Sequence, residues 1–283
     1  MIALISRDAG GAEFISRYAS NQKEKFCLAA TGPAIKIFKK KFRNKKILDY
    51  KKAIRISDWA LCSTGTSTDY EKNAIVFAKK NNKKIIAYID HWVEYRERFL
   101  KNKKLIRPDE IWVSDKYALD IAKKNNLRNI TIKENPLFND FLKYKKKFNR
   151  KNCNGNILFL SEPVSKDLKN YYDETECIKY FLKNLNISKL KYKNIQIRPH
   201  PAESVSKFIK LKRISKKIYI SNKNNIFYDI MKSNIIVGIN TIALVLGLLA
   251  NKKVISCIPG KKKCELPHKK ILNYKNLINE KKI

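Results

Sequence analysis

The chain has 283 residues, which is enough for two domains that each bury a hydrophobic core. Its composition, 44% hydrophobic and 31% charged, excludes an intrinsically disordered protein. The formal net charge is +37, which is compatible with a polyanionic partner such as nucleic acid or with an anionic membrane surface.

Short apolar stretches alternate with longer amphipathic stretches. In the first half, the apolar stretches predict strands at 2–5, 26–30, 60–63, 84–89, 110–113 and 129–132. In the second half, they predict strands at 156–160, 194–197, 217–220, 234–237 and 253–257. The amphipathic stretches predict helices at 12–19, 69–81, 116–125, 173–184 and 241–250. Strands separated by helices of this length are typical of βαβ units and parallel sheets.

A polar, lysine-rich stretch at 143–156 interrupts the alternation. It predicts a link between two Rossmann-like domains, an N-terminal domain at 1–147 and a C-terminal domain at 155–283. The fold class is therefore α/β, with one parallel sheet in each domain.

Cysteine use and apolar run lengths indicate the compartment. None of the six cysteines lies in a C-x-x-C pair, which disfavours a zinc site. Several lie in apolar stretches and are interpreted as core residues of a protein in a reducing cytoplasm. The opening apolar stretch is too short for a signal peptide, and the longest run, 242–250, falls far short of the roughly 20 residues that span a bilayer.

The distribution of charge favours codon bias over a nucleic-acid site. Lysines are scattered in pairs and triplets along the whole chain, beside abundant Asn and Ile, and A/T-rich codons encode these three residues. A dedicated nucleic-acid protein more often gathers Arg and aromatic residues on one face. We therefore expect no nucleic-acid partner and a weak attraction to the anionic inner face of the membrane.

The loop after the first strand carries Asp8, Gly10 and Gly11. The glycines allow a ligand close to the backbone, and the following helix start favours an anion. Because Asp8 would repel a phosphate, we interpret it as a general base toward a hydroxyl or as an acceptor for sugar. The alternative is that Asp8 caps the helix.

Two more loops of the first domain follow strands. Ser63, Thr64 and Thr66 offer hydroxyls to a sugar or phosphate, or else form a helix N-cap cluster. The next loop is a dense group that we interpret as an acid/base pair, a stacking ring and a cation, or else as a structural salt-bridge cluster. Its members are Asp90, His91, Trp92 and Arg96, and Tyr95 is the alternative to Trp92 as the stacking ring. If this segment is helical, Arg96 and Arg98 point to different faces, so only one of them serves the site.

In the second domain, the sequence Ile-Arg-Pro-His-Pro follows a predicted strand and supplies Arg198 and His200. Ligands bind at the carboxyl ends of strands in open α/β sheets. The guanidinium fork of Arg198 and the imidazole of His200 suit a phosphate, and the prolines on both sides of His200 stiffen the backbone. The alternative is a solvated loop.

Two further loops of the second domain follow strands. Ser161 and Glu162 are expected near a nucleotide, where Glu162 accepts from the base or ribose; the alternative is a simple turn. Gly238, Asn240 and Thr241 precede a helix of small residues, whose N-terminus would hold a phosphate. The alternative is a helix cap alone.

The order of these motifs resembles that of bacterial glycosyltransferases of the two-Rossmann-domain, or GT-B, type. The second half is similar to the nucleotide-binding half of sialyltransferases and capsule polysialyltransferases, which use a His-Pro motif on the CMP phosphate. Polyol-phosphate polymerases that use CDP-glycerol show a related Arg-x-His-Pro. The resemblance implies two Rossmann-like domains whose parallel sheets face a cleft, with the acceptor and catalytic residues in the first domain and the nucleotide in the second.

The resemblance also implies a function. The enzyme would move a sugar from a nucleotide-sugar, with a CMP-sugar favoured, to a surface polysaccharide or glycolipid. His200 would bind or protonate the leaving phosphate, Asn240 and Thr241 would bind it, and Asp8 or Asp90 would be the catalytic base. No cofactor besides the donor is expected, and no D-x-D triplet points to a metal.

Other functions remain open at this point. A UDP-N-acetylhexosamine 2-epimerase-like enzyme and a CDP-polyol phosphotransferase are compatible with the same scaffold. A basic nucleic-acid-binding protein is the alternative from a different class, and it predicts tight binding that weakens steeply with salt.

Overall fold

The computed structural model describes residues 1–149, 153, 155–164 and 172–279. The chain divides into two compact units, Met1–Asn139 and Asp140–Ile283. The predicted link at 143–156 lies partly outside the described residues, and the division falls before it.

The division falls inside helix α6, Pro136–Lys147. From Asp140 onward the helix makes contacts within the second unit: the rings of Phe141 and Phe227 lie 5.1 Å apart, and Lys145 Nζ donates to the Leu249 carbonyl at 2.7 Å. The last turns of the helix, which the sequence assigned to the first domain, therefore belong to the second unit.

The first unit is a seven-stranded parallel sheet in the order β3-β2-β1-β4-β5-β8-β9. Its strands are β1 Ile2–Ser6, β2 Phe26–Ala30, β3 Ile47–Leu48, β4 Trp59–Cys62, β5 Lys84–Ile89, β8 Glu110–Val113 and β9 Ile130–Ile132. A small hairpin joins β6 Leu100–Lys101 to β7 Lys104–Leu105. The helices are α1 Ala9–Ser20, α2 Ala34–Lys41, α3 Tyr50–Arg55, α4 Tyr70–Lys80 and α5 Lys116–Lys124.

The second unit is a six-stranded parallel sheet in the order β12-β11-β10-β13-β14-β15. Its strands are β10 Ile157–Leu160, β11 Ile195–Arg198, β12 Ile218–Ile220, β13 Ile235–Gly238, β14 Lys253–Ser256 and β15 Leu272–Asn273. Its further helices are α7 Glu174–Lys183, α8 Leu185–Ser188, α9 Ile226–Lys232, α10 Ala243–Leu249 and α11 Tyr274–Asn279, with a 3₁₀ helix at Val205–Arg213.

The α/β fold with two parallel sheets is confirmed, and each predicted strand is present with its ends within one residue. The central strands are buried on both faces, as Ile2–Ile5 and Ile157–Leu160 show, which is why they are apolar at every position. Within the described ranges, no helix is long and apolar enough to cross a membrane.

Each sheet is doubly wound, and its strand order reverses at one place. The reversal lies between β1 and β4 in the first unit and between β10 and β13 in the second. At such a point, the loops on either side of the crevice leave in opposite directions and open a place for a ligand at the carboxyl edge. Both reversals lie where the sequence placed candidate site residues.

Candidate functional site

In the first unit, the loops after β1, β4 and β5 are neighbours because these strands are adjacent in the sheet. They bring Asp8 and Asp90 near each other on either side of the loop that begins at Ser63. The Asp90 charge is close enough to raise the pKa of Asp8. The sequence-predicted acidic residues of the first domain thus form one pair.

Asp8 stands at the N-cap position of α1, yet its side chain makes no capping hydrogen bond. Its Oδ1 accepts from Arg7 Nη1 at 3.1 Å, and its Oδ2 lies so close to Gly65 that a Cβ there would overlap it. Burial raises the pKa of Asp8, the Asp90 charge adds to this, and Arg7 acts in the opposite direction. The capping alternative therefore does not describe this side chain.

Asp90 lies against the start of α1 and is held by an ion pair. Its Oδ1 accepts from Arg98 Nη1 at 3.1 Å, and the two side chains are 15% and 9% exposed. A Cβ on Gly10 would overlap Asp90 Oδ2. Gly10 therefore makes room for this carboxylate, a role that differs from the predicted approach of a ligand to the backbone.

Arg98 ties together the loops after β4 and β5. Its Nη1 donates to the carbonyl and the hydroxyl of Thr64 at 2.8 and 3.2 Å, and its Nε donates to the Val93 carbonyl at 3.1 Å. Arg96, the predicted cation, is exposed at the start of the 3₁₀ turn Glu97–Phe99. Of the two arginines, Arg98 is thus the one that contacts the acidic pair.

Glu71 is a member of this site that the sequence analysis missed. It is 2% exposed, and its Oε1 accepts from the Arg7 N–H at 2.9 Å and from Ser63 Oγ at 3.0 Å. Ser63 also pairs with Ser6 at 2.8 Å and fills the space that a Cβ on Gly11 would need. Ser63 and Gly11 hold the loops together and are not open to a sugar.

The two threonines of the β4 loop differ in exposure. Thr64 is 2% exposed and donates to the Tyr88 carbonyl at 3.1 Å, which gives it a structural role. Thr66 is exposed and donates to Glu94 at 2.9 Å. Thr66, like the exposed Ser67 beside it, is therefore a hydroxyl of this loop that a ligand can reach.

The Trp92 ring is a core side chain. It is 2% exposed, and its Nε1 donates to both carboxylate oxygens of Asp115 at 3.1 Å. His91 is half-buried, with its ring edge-to-face against Trp92 at 5.7 Å. The stacking surface predicted at Trp92 is wrong because burial removes the ring from contact with a ligand.

In the second unit, Arg198 is anchored at the end of β11 by a buried carboxylate. Its Nη1 donates to Asp229 of α9 and to the Asn224 carbonyl, the latter at 3.0 Å. Asp229 is 2% exposed and also accepts from Gln196 Nε2 at 2.8 Å. The pair fixes the guanidinium beside the carboxyl edge of the sheet, and phosphate binding by Arg198 stays a prediction.

His200 has a defined tautomer. Its Nδ1 accepts from the Ala202 N–H at 3.2 Å, and its own backbone N–H donates to Glu203 Oε2 at 2.9 Å. Burial lowers the pKa of His200, so the neutral ring carries its proton on Nε2. The ring is thus a neutral hydrogen-bond donor, a state better suited to binding a phosphate than to protonating it.

Glu162 bridges the strand-order reversal of the second unit. Its Oε2 accepts from the Asn240 N–H at 2.8 Å, and Asn240 Oδ1 accepts from the Glu265 N–H at 3.0 Å. Burial raises the pKa of Glu162 to about 7, and the charges of Glu265 and Glu203 add to this. Ser161 beside it is buried and donates its backbone N–H to the Arg198 carbonyl at 2.9 Å.

Residues of the loop after β13 contact mainly the loop itself and the neighbouring helix and strand. Helix α10 begins at Ala243 and not at the predicted Thr241, and its N-cap residue is Ile242. Thr241 Oγ1 accepts from the Ala243 N–H at 3.3 Å. A Cβ on Gly238 would lie 3.1 Å from Leu244 Cδ2 and 3.3 Å from the Leu160 carbonyl. Thr241 therefore bonds to the backbone just before the helix without being its N-cap residue, and a phosphate role for this loop stays a prediction.

A metal centre finds no support in the described part of the chain. Among these residues, no group of three or more His, Cys, Asp or Glu side chains is arranged to hold a metal ion. Asp8 and Asp90 instead have an arginine partner each, Arg7 for Asp8 and Arg98 for Asp90.

Comparison with known proteins places the fold. No family model matches the chain, and no curated protein matches it in sequence. S. aureus MnaA, solved with UDP, superimposes with a TM-score of 0.69 at 12% identity, over 99% of this chain and 87% of that one. The UDP-GlcNAc 2-epimerase of Methanocaldococcus jannaschii gives 0.64 at 13% identity, over 100% and 92%.

A glycosyltransferase is also similar. The glycotransferase of kitacinnamycin superimposes with a TM-score of 0.52 at 11% identity, over 94% of this chain and 81% of that one. The chain therefore has the two-domain, Rossmann-type architecture that GT-B enzymes and these epimerases share.

The Arg98→Met variant tests the ion pair. Removing the guanidinium leaves the Asp90 carboxylate largely buried without its partner, so we expect a loss of about 3 kcal/mol in the free energy of unfolding, measured with urea. The matched control is Arg96→Met, an exposed position two residues away, for which we expect a change within about 0.5 kcal/mol. Equal losses in both variants would contradict the role given to Arg98.

The Glu162→Gln variant tests the buried carboxyl. Because the folded-state pKa is raised from 4.5 to about 7, the wild type loses stability as pH rises through that window. The variant should be more stable than the wild type by about 3 kcal/mol at pH 8 and by less than about 1 kcal/mol at pH 5. Exposed Glu97→Gln is the control, and a pH-independent difference for Glu162→Gln would refute the assignment.

Proposed function

We propose that the protein is a glycosyltransferase that moves a sugar from a nucleotide-sugar to a glycan or lipid-linked acceptor. The observation that carries the proposal is the Asp8 carboxylate. It lies at the strand-order reversal of the first sheet, makes no helix cap, and has a pKa raised by burial and by Asp90. A carboxylate with a raised pKa suits a general base.

The proposed step is a direct displacement. Asp8 takes the proton of the acceptor hydroxyl while the hydroxyl oxygen forms a bond to the anomeric carbon. The bond between that carbon and the phosphate oxygen breaks, and the electron pair leaves with the nucleotide. Within the second unit, the Nε2–H of His200 is the donor that we assign to the nucleotide phosphate.

Asp90 has a different part in this scheme. Because Arg98 holds it in a largely buried ion pair, it keeps a fixed place and acts through its charge on Asp8. Of the two carboxylates, Asp8 is the more exposed, at 35% against 15%. A transferase needs one base, and the geometry offers one carboxylate for that task.

The donor nucleotide separates two candidate functions. The His-Pro motif supports a CMP-sugar transferase. The likeness in fold to MnaA and to the Methanocaldococcus enzyme supports a UDP-N-acetylhexosamine 2-epimerase-like activity as the second candidate. An epimerase must remove a proton at C2 of the sugar and return one to the other face, so it needs two proton-transfer groups. Asp90 is held in its ion pair and suits proton transfer less well than Asp8, which favours the transferase.

Nucleotide binding tests the proposal by thermal shift. A nucleotide at 100 times its dissociation constant should stabilise the wild type by about 2.7 kcal/mol. For a protein of this size, each kcal/mol raises the Tm by roughly 2–4 °C. We expect the shift to vanish in His200→Ala and to persist in the control His268→Ala, a half-buried histidine of the same unit.

The panel contains CMP, CDP, UDP, GDP and a short DNA duplex. Stabilisation by CMP supports the transferase with a CMP-sugar donor, and stabilisation by UDP moves the second candidate ahead. A shift with DNA alone, unchanged in His200→Ala, would overturn the proposal.

A further inference from the structure

Residues 205–217, here called the 205–217 surface, combine basic and aliphatic side chains on the second unit. The segment is rich in basic residues, which are Lys207, Lys210, Lys212, Arg213, Lys216 and Lys217. No acidic residue occurs between Glu203 and Asp229. Lys207 is ion-paired with Glu174 and Glu203, and the other five basic residues have no acidic neighbour along this part of the chain.

The 3₁₀ geometry of Val205–Arg213 sorts these side chains into three rows, because residues three apart eclipse one another. One row packs into the core at its centre, with Phe208 and Leu211 at 0% and 4% exposed, whereas Val205 and Ile214 at its two ends are open to solvent. A second row is basic, with Lys207, Lys210 and Arg213. The third row places Ile209 next to Lys212 on the outside of the protein.

Aliphatic side chains on this surface are open to solvent. Ile209 is 52% exposed, Ile214 is 56% exposed and Val205 is 38% exposed. Three exposed aliphatic side chains thus lie within ten residues that also carry exposed lysines, the residue combination of a surface that lies against a membrane. Phe208 and Leu211 anchor the backbone, so the outward side chains are held and do not depend on a mobile loop.

The positive charge of the 205–217 surface indicates which kind of partner binds it. A second copy of this chain would bring two positive surfaces together, which is repulsive. Single-stranded nucleic acid is bound through exposed aromatic rings, and the only aromatic side chain of the 205–217 surface, Phe208, is buried. An anionic lipid surface complements both features, since its phosphates attract lysines and its acyl boundary accepts aliphatic side chains.

We propose that the 205–217 surface docks the protein on a bilayer of anionic phospholipids. Ile209, Ile214 and Val205 enter the headgroup layer, while Lys210, Lys212 and Arg213 contact phosphates. The segment begins five positions after His200, and Glu203 connects the two, since it accepts from the His200 N–H at 2.9 Å and lies 3.6 Å from Lys207. The inference does not depend on the proposed activity.

Co-sedimentation with vesicles tests the inference on the full chain. Phosphatidylcholine vesicles with 25% phosphatidylglycerol should bind the wild type, and pure phosphatidylcholine vesicles should not. The triple variant K210Q/K212Q/R213Q should lose on the order of 100-fold in partitioning. The double variant I209S/I214S keeps all charges and should lose about 10-fold.

The matched control is K39Q/R43Q/K46Q, which removes the same residue types from an exposed basic region of the first unit. We expect it to lose less than about threefold. Equal losses in the two triple variants would overturn the inference, because binding would then follow total charge. So would failure of the wild type to bind the anionic vesicles, or an unchanged partition of I209S/I214S.

A nucleic-acid partner is tested in the same series. A short DNA duplex that binds the wild type more tightly than the vesicles, and loses affinity in K210Q/K212Q/R213Q, would assign the surface to nucleic acid. Such a result would overturn the lipid inference and leave the nucleotide experiments on His200 unaffected.

Discussion

The buried ion pair between Arg98 and Asp90 is the interaction on which the acidic site of the first unit depends. Arg98 joins Asp90, Thr64 and the Val93 carbonyl, so it fixes the loops after β4 and β5 relative to each other. These loops in turn surround Asp8, whose carboxylate fits against Gly65. A charge held in this way costs desolvation, and the arginine offsets that cost only while the geometry persists.

The second unit uses a carboxyl group at the same topological place but in a different state. Glu162 spans the reversal between β10 and β13 through the Asn240 N–H, and its raised pKa of about 7 reflects burial without a basic partner. Near it, His200 is kept neutral with its proton on Nε2. One unit therefore has an acidic pair with arginine partners, and the other has a neutral imidazole donor and a buried carboxyl group whose pKa is about 7.

The sequence was sufficient to predict the fold, but it predicted only part of the candidate site. Strands such as Ile157–Leu160 are apolar throughout. Ala34–Lys41 and Pro136–Lys147 are helices that carry many lysines and few apolar residues, and the end of the latter was taken for a linker. Asp8, Asp90 and His200 followed from their places after strands. Glu71, and the choice of Arg98 over Arg96, depend on contacts between distant segments, which spacing alone does not reveal.

The most direct test of the account is donor turnover by the wild type and Asp8→Asn, with release of free nucleotide followed from CMP-sialic acid and from UDP-GlcNAc. The account predicts nucleotide release by the wild type from one of the two donors and a loss of about 100-fold or more in Asp8→Asn. It also predicts that the variant still binds the nucleotide. Wild-type turnover that Asp8→Asn leaves unchanged, or no release from either donor, would contradict the assignment of Asp8 as the base of a glycosyl transfer.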